Sequence, residues 1–212
     1  MSDPARRVPP YRIVTERLVV RCWNPDDAAA LKEAVDASLE HLRRWMPWAQ
    51  HEPEPVGLKV QRLRQFRGNF DLGLDFVYGI LDRDESRVVG GTGLHTRPGA
   101  GALEIGYWVR ADREGHGLIT EAASALTRVA FELCGVSRVE IQCDPENVRS
   151  AAIPKRLGFS EEGVLRCRQP DRDGTPNRRD SKVFSLLACE YAASPSAQAE
   201  FAAYDAAGER VL

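Results

Sequence analysis

Long apolar runs are missing from this sequence. No stretch approaches the roughly 20 consecutive apolar residues that a membrane span requires, and the opening "MSDPARRVPPYRIV" carries no apolar core of an export signal. Any Cys-x-x-Cys pair is missing too. The five cysteines (Cys22, Cys134, Cys143, Cys167, Cys189) are scattered, and an odd number cannot all pair within one chain. Reduced, mostly buried thiols and a cytoplasmic location are therefore expected. Neither sign of charge is in excess, since 29 basic against 31 acidic residues leave −2. Neither nucleic acid nor a membrane surface is expected as a partner. There is no internal repeat, and 212 residues supply one domain of ordinary size with a short extension.

What is present is a succession of short elements. "TERLVVRCW" alternates like a strand, and "NPDDAAALKEAVDAS" opens a helix with Asn24 as cap, Pro25 at the first helical position and two acids in the first turn. "LEHLRRWMPWAQHEPEP" reads as a short helix ending in a loop. "PVGLKVQRLRQFRGNFD" reads as a helix with Leu58, Leu63, Phe66 and Phe70 on its apolar side. The runs "DFVYGILDR", "RVVGGTGLHT" and "ALEIGYWV" form an antiparallel meander joined by "DRDES" and "RPGAG". A helix after Gly117 carries one apolar stripe, Leu118, Ala122, Ala125, Leu126, Val129 and Leu133, and Gly135 caps it. Then come a strand "VSRVEIQCD", a short helix "PENVRSAAIPKRLGF" that Pro154 should kink, and two strands, "SEEGVLRC" and "SKVFSLLACEY".

The chemistry concentrates where "EIGYWV" passes through "RADREGHG" into a helix. A Gly-x-Gly turn opening a helix offers backbone N–H groups at the positive end of a helix dipole, which suits phosphate. Glycines that merely permit a tight corner would look the same. A Walker loop is excluded, because Leu118, Ile119 and Thr120 follow Gly117 where Lys and Ser/Thr are needed. A dinucleotide fingerprint wants a third glycine where Thr120 stands, although Glu140 or Asp144 lies at a suggestive distance.

The order of "LEIGYWV", "EGHGLITEA", "NVRSAAIPKRLGF" and "EEGVLR" resembles the GNAT superfamily of acyl-CoA N-acyltransferases, in its RimJ/RimL-type branch that acetylates ribosomal-protein N-termini. The likeness runs from "TERLVVRCW" to "SKVFSLLACEY". It implies an α+β fold: a mixed, mostly antiparallel sheet with helices on both faces, splayed at two central parallel strands. Residues 15–191 would form the GNAT domain, 1–14 an N-terminal lead, and 192–212 a C-terminal extension, either a hairpin or a contact in a homo-oligomer. Such a tail would expose Phe201, Tyr204 and Val211 unless a neighbouring subunit covered them.

The resemblance also implies a site. Acyl-CoA is the co-substrate, acetyl-CoA foremost, with no metal. Its pyrophosphate would rest on the backbone of Gly115, Gly117, Leu118, Ile119 and Thr120. Glu114 and Ile119 depart from the family's usual residues, and Glu114 supplies no cation, which leaves Arg110, Arg113 and His116. The pantetheine would pair with Tyr107, Trp108 and Val109 on one side of the wedge and Asn147 on the other. Ser150 would donate to the departing thiolate. Glu104 would accept the amine proton through water, with His95 or water alone as other bases. A carboxylate that some relatives carry has only Gln169 or Asp171 as counterpart here. Trp23, Trp45, Met46 and Trp48 are candidates to line the acceptor cleft. The arginines 166, 168, 172, 178 and 179 form either a solvated face or a reader of anions such as a succinyl-CoA carboxylate. The acceptor is a primary amine, of a protein N-terminus or a small molecule. A CoA-binding sensor without turnover is the alternative of another class.

Overall fold

The computed structural model describes residues 8–170 and 178–212. In chain order the elements are β1 (Arg12–Val14), β2 (Leu18–Cys22), α1 (Ala28–Asp36), α2 (Leu39–Trp45), α3 (Val56–Asp71), β3 (Phe76–Asp82), β4 (Val88–His95), β5 (Ala102–Val109), α4 (Leu118–Glu132), β6 (Arg138–Cys143), α5 (Val148–Arg156), β7 (Ser160–Pro170), β8 (Arg178–Leu187), α6 (Ala188–Tyr191) and β9 (Ala202–Tyr204). The nine strands make one open sheet in the order β7-β8-β6-β5-β4-β3-β2-β1-β9. Every neighbouring pair is antiparallel except β5 and β6.

Alternation along the central strands divides the interior. Leu103, Ile105, Tyr107 and Val109 of β5 join the core built with α4, whereas Trp108 joins a second core with Trp23, Leu31, Leu42 and Leu63 from the other helices. Helices therefore cover both faces, and the apolar stripe of α4 is buried as its spacing requires.

Several expectations need correction. The "ACEY" of the last strand run is a helical turn, α6, because Glu190 turns back to cap the Leu187 amide. In α3, Leu58 is 45% exposed and Lys59 is buried instead, since its ammonium pairs with Glu52 and Glu54. Pro154, expected to kink its helix, sits inside α5, which continues past it to Arg156. Of the five thiols only Cys22 is fully buried, while Cys167 and Cys189 are exposed. Residues 12–14, at the end of the segment set apart as a lead, form β1, and the tail adds β9 beside it with register Ile13↔Ala203. The tail folds on itself through Val211 N–H to Ala203 O at 2.8 Å, and Phe201 and Leu212 pack on the main core. Phe201 therefore finds cover within the chain, whereas Val211 stays 41% exposed. Among the described residues no helix is long and apolar enough to cross a membrane.

Candidate active site

The site begins where a ladder stops. β5 and β6 pair in parallel from Ala102↔Arg138 to Ile105↔Ile141 and no further. Beyond that point β5 continues to pair with β4, Gly106↔Gly93 to Val109↔Gly90, so its other edge opens into a wedge. Buried backbone groups of such an edge need partners, which an amide-bearing ligand can supply. On the side away from the wedge, Gly90 and Gly91 of β4 let that strand lie close against Trp108 of β5. At Gly91 an added Cβ would meet the Trp108 indole at 2.4 Å.

Two cavities meet at this wedge. One, of about 670 Å³, lies among the end of β5, the start of α4, α5 and α2. Gly115, Gly117, Leu118, Ile119 and Thr120 line it. Gly115 (φ 78°) and Gly117 (φ 76°) hold the left-handed turn that aims the first helical amides inward, and no side chain caps that helix. The other, of about 790 Å³, lies beyond Glu104 and Gly106, walled by β6 and the β7–β8 ribbon. Trp45, Met46, Tyr107, Asn147 and Ser150 line both, forming a neck between them.

The charged candidates divide. Arg113 lines the first cavity, and its Nε is buried without a hydrogen-bond partner among the described residues, a donor suited to an anion. Arg110 is turned away: its guanidinium is 2% exposed and pairs with Glu33 and Asp112 in a different part of the fold. The His116 side chain does not line the cavity, while its carbonyl accepts from Arg17 at 2.9 Å. Glu114 accepts from Arg149 at 2.8 Å and stands 3.5 Å from His41, spanning the cavity's rim. Arg149 and Arg156, which sequence reasoning missed, both line it. Their i, i+7 spacing on a helix was the available signal.

In the neck, Asn147 caps α5 by accepting from the Ser150 amide at 3.0 Å. The Ser150 hydroxyl donates to Tyr107 at 3.2 Å. Burial pushes the Cys143 thiol up to about 11, so beside Ser150 it stays protonated at neutral pH.

In the larger cleft, carboxylates are matched with arginines. Glu104 accepts from Arg97 at 2.6 Å. Arg138 pairs with Glu140 and, through two nitrogens, with Glu162. Arg179 pairs with Asp144. Arg168 and Gln169 line this cleft, whereas Arg172 and Asp171 lie outside the described residues. His95 lies off the cleft lining, with Nδ1 3.0 Å from both Asp75 oxygens. Trp23 is a core residue, 2% exposed, and Trp48 packs edge-on against Trp108; of the four candidate apolar residues, only Trp45 and Met46 reach the cleft.

A splayed parallel pair with a glycine turn at one mouth is the arrangement that the motifs implied, and residues 17–160 match the model of the acetyltransferase (GNAT) domain. The chain belongs to the GNAT family. It is 30% identical over 162 residues to the [ribosomal protein uS5]-alanine N-acetyltransferase of Escherichia coli, covering 75% of this chain and 83% of that protein. Among solved structures it is similar to Mycobacterium smegmatis RimJ in complex with CoA-disulfide, with a TM-score of 0.73, 26% identity, and 90% of this chain and 91% of that one covered. The fold is shared also with the ribosomal-protein-S5-alanine acetyltransferase of Vibrio fischeri, with a TM-score of 0.71, 22% identity, and 85% and 98% covered. This GNAT domain is thus an acyl-CoA-dependent N-acetyltransferase, and the dinucleotide reading is set aside. In the smaller cavity the glycine turn and the Arg113 Nε, unpartnered among the described residues, together make a setting suited to an anion.

Proposed function

We propose that this enzyme acetylates the α-amine of a protein N-terminus, with acetyl-CoA as donor and a ribosomal protein as acceptor. The observation that carries the reading is the neck: one serine hydroxyl lies between a cavity suited to CoA and a second cleft whose carboxylates are matched with arginines. A cleft without a strong free base fits an amine that needs little help. An α-amine has a pKa of about 7.7–8.0 and a lysine amine about 10.4. The names of the relatives support a ribosomal acceptor.

In this reading the pyrophosphate rests on the amides of residues 115–120 with Arg113 beside it, and the pantetheine lies along Tyr107, Trp108 and Val109. The amine nitrogen attacks the thioester carbonyl carbon. The C–N bond forms, the C–S bond breaks, and sulfur leaves with the electron pair. Glu104 takes the ammonium proton through water, and Ser150 donates a hydrogen bond to the thiolate, which acquires its proton from solvent. Such donors act chiefly in the transition state.

The test is mass spectrometry of the purified protein's products, with peptides bearing free N-terminal alanine or serine, a lysine peptide blocked at its N-terminus, and both acetyl-CoA and succinyl-CoA. Acetylation of the α-amine peptides alone is expected. Acylation only of the lysine peptide would overturn the acceptor assignment, and preference for succinyl-CoA would overturn the donor. CoA binding with no turnover on any amine would point to a sensor.

A further inference from the structure

Ser150 is held at an unusual number of points, and the cause lies in Pro154. In an α-helix the carbonyl of residue 150 receives the N–H of residue 154, and proline has none to give. The carbonyl of Ser150 instead receives the Tyr107 hydroxyl, 3.2 Å away, from a strand 43 residues earlier. A phenol has one hydrogen and oxygen lone pairs to spare. With the hydrogen on the carbonyl, the phenolic oxygen accepts from the Ser150 hydroxyl, also at 3.2 Å. The Ser150 amide is taken by Asn147 at 3.0 Å. Amide, carbonyl and hydroxyl of one residue are thus tied at the neck of the two cavities.

We propose that Tyr107 is a positioning residue for Ser150, made available by the carbonyl that Pro154 leaves open; this rests on the reading of Ser150 as the donor to the leaving thiolate. Both Ser150 oxygens lie within reach of the phenol, so its hydrogen can pass from the carbonyl to the serine hydroxyl oxygen. The serine hydrogen then turns from Tyr107 to the sulfur, and the new bond from the phenol strengthens that donation. No bond to carbon changes in this step, and each oxygen keeps one hydrogen. Burial pushes the Tyr107 phenol above its ordinary value, so it keeps that hydrogen throughout the working range.

The experiment measures steady-state CoA release from acetyl-CoA by the full chain, with a peptide of free N-terminal alanine, or with water as acceptor if the peptide is not acylated. Tyr107→Phe should lower kcat about tenfold with KM for acetyl-CoA changed less than about twofold, the effect of one hydrogen bond felt in the transition state. In a Ser150→Ala background the same change should cost nothing further. Pro154→Ala, which supplies the missing N–H, should lower kcat about threefold, and the Tyr107→Phe/Pro154→Ala double variant should be no slower than Tyr107→Phe alone. Tyr107→Phe at the wild-type rate, or equally harmful with and without Ser150, overturns the proposal while leaving the serine's role standing. Ser150→Ala at the wild-type rate overturns both.

Discussion

The cavity at the glycine turn, proposed for the donor, and the cleft beyond Glu104, proposed for the acceptor, are similar in size, about 670 and 790 Å³, but are walled by different kinds of group. Backbone supplies much of the first: the open edge of β5 and the uncapped start of α4. Its side chains mix an apolar set, such as Leu118, Ile119, Val148 and Ile153, with arginines, Glu114 and the neutral polar Thr120, Asn147 and Ser150. Charged side chains supply much of the second, where arginines and carboxylates hold one another. A site made of backbone should tolerate drift in side-chain identity. A site made of side-chain pairs can be retuned for a new acceptor by exchanging single residues.

This contrast breaks most visibly at Gly117. Gly117→Asp forces a side chain onto a residue at φ 76° and brings a negative charge to the mouth proposed for the phosphates. Calorimetric titration should show acetyl-CoA affinity weakened about a hundredfold or more, with the thermal midpoint little changed; an unaltered Kd would remove CoA from this cavity. On the other side of the neck, Glu104→Gln should lower kcat/KM for an N-terminal peptide about tenfold at pH 6 and progressively less above pH 8, where the α-amine is already neutral. Acetyl-CoA affinity should be untouched. A loss that is the same at every pH would make Glu104 a binding group and not a base.

Smaller effects sharpen the comparison. Glu114 holds Arg149 at the donor rim, so Glu114→Gln should tighten acetyl-CoA binding about threefold at low salt, with the gain shrinking as salt screens the arginine. In the acceptor cleft, Arg138 holds the Glu162 carboxyl down at about 2, against an ordinary 4.5. A depressed carboxyl contributes stability above its unfolded value, and that contribution is lost as pH falls through the folded one. The thermal midpoint of the wild type should therefore fall between about pH 4.5 and 2 more steeply than that of Glu162→Gln. Parallel curves would show that the pair adds nothing to stability.

The strand, glycine turn and helix around the smaller cavity were legible in the sequence because their signals are local. A strand's alternation, two glycines one residue apart and an apolar stripe are each contained in a single element, and the family likeness fixed their order. The acceptor half depends on partners far apart in the chain, which no periodicity reveals. Arg110 looked like a phosphate ligand, but its partner Glu33 lies 77 residues away and draws it into a different region. Lys59 sat where a helical pattern wants a solvated residue, and its buried partners precede the helix. Pro154 read as a fault in a helix because the hydroxyl that compensates for it belongs to β5.

The rim that carries Trp45 and Met46 into the neck is fastened from beneath. The ammonium of Lys59, 1% exposed, pairs with a Glu52 carboxylate that has no exposure at all, and Arg43 donates to the carbonyls of Ala49 and Glu52 in the same segment. Breaking a buried pair of this kind leaves a charge uncompensated, at a cost of about 3–5 kcal/mol. A rim so anchored is expected to keep its place between one arrival and the next. In the proposed reading donor and acceptor enter different cavities, so neither has to wait for the other. Initial-rate plots for the two substrates should intersect in either order of addition, and free CoA should compete with acetyl-CoA while leaving the approach of the amine open.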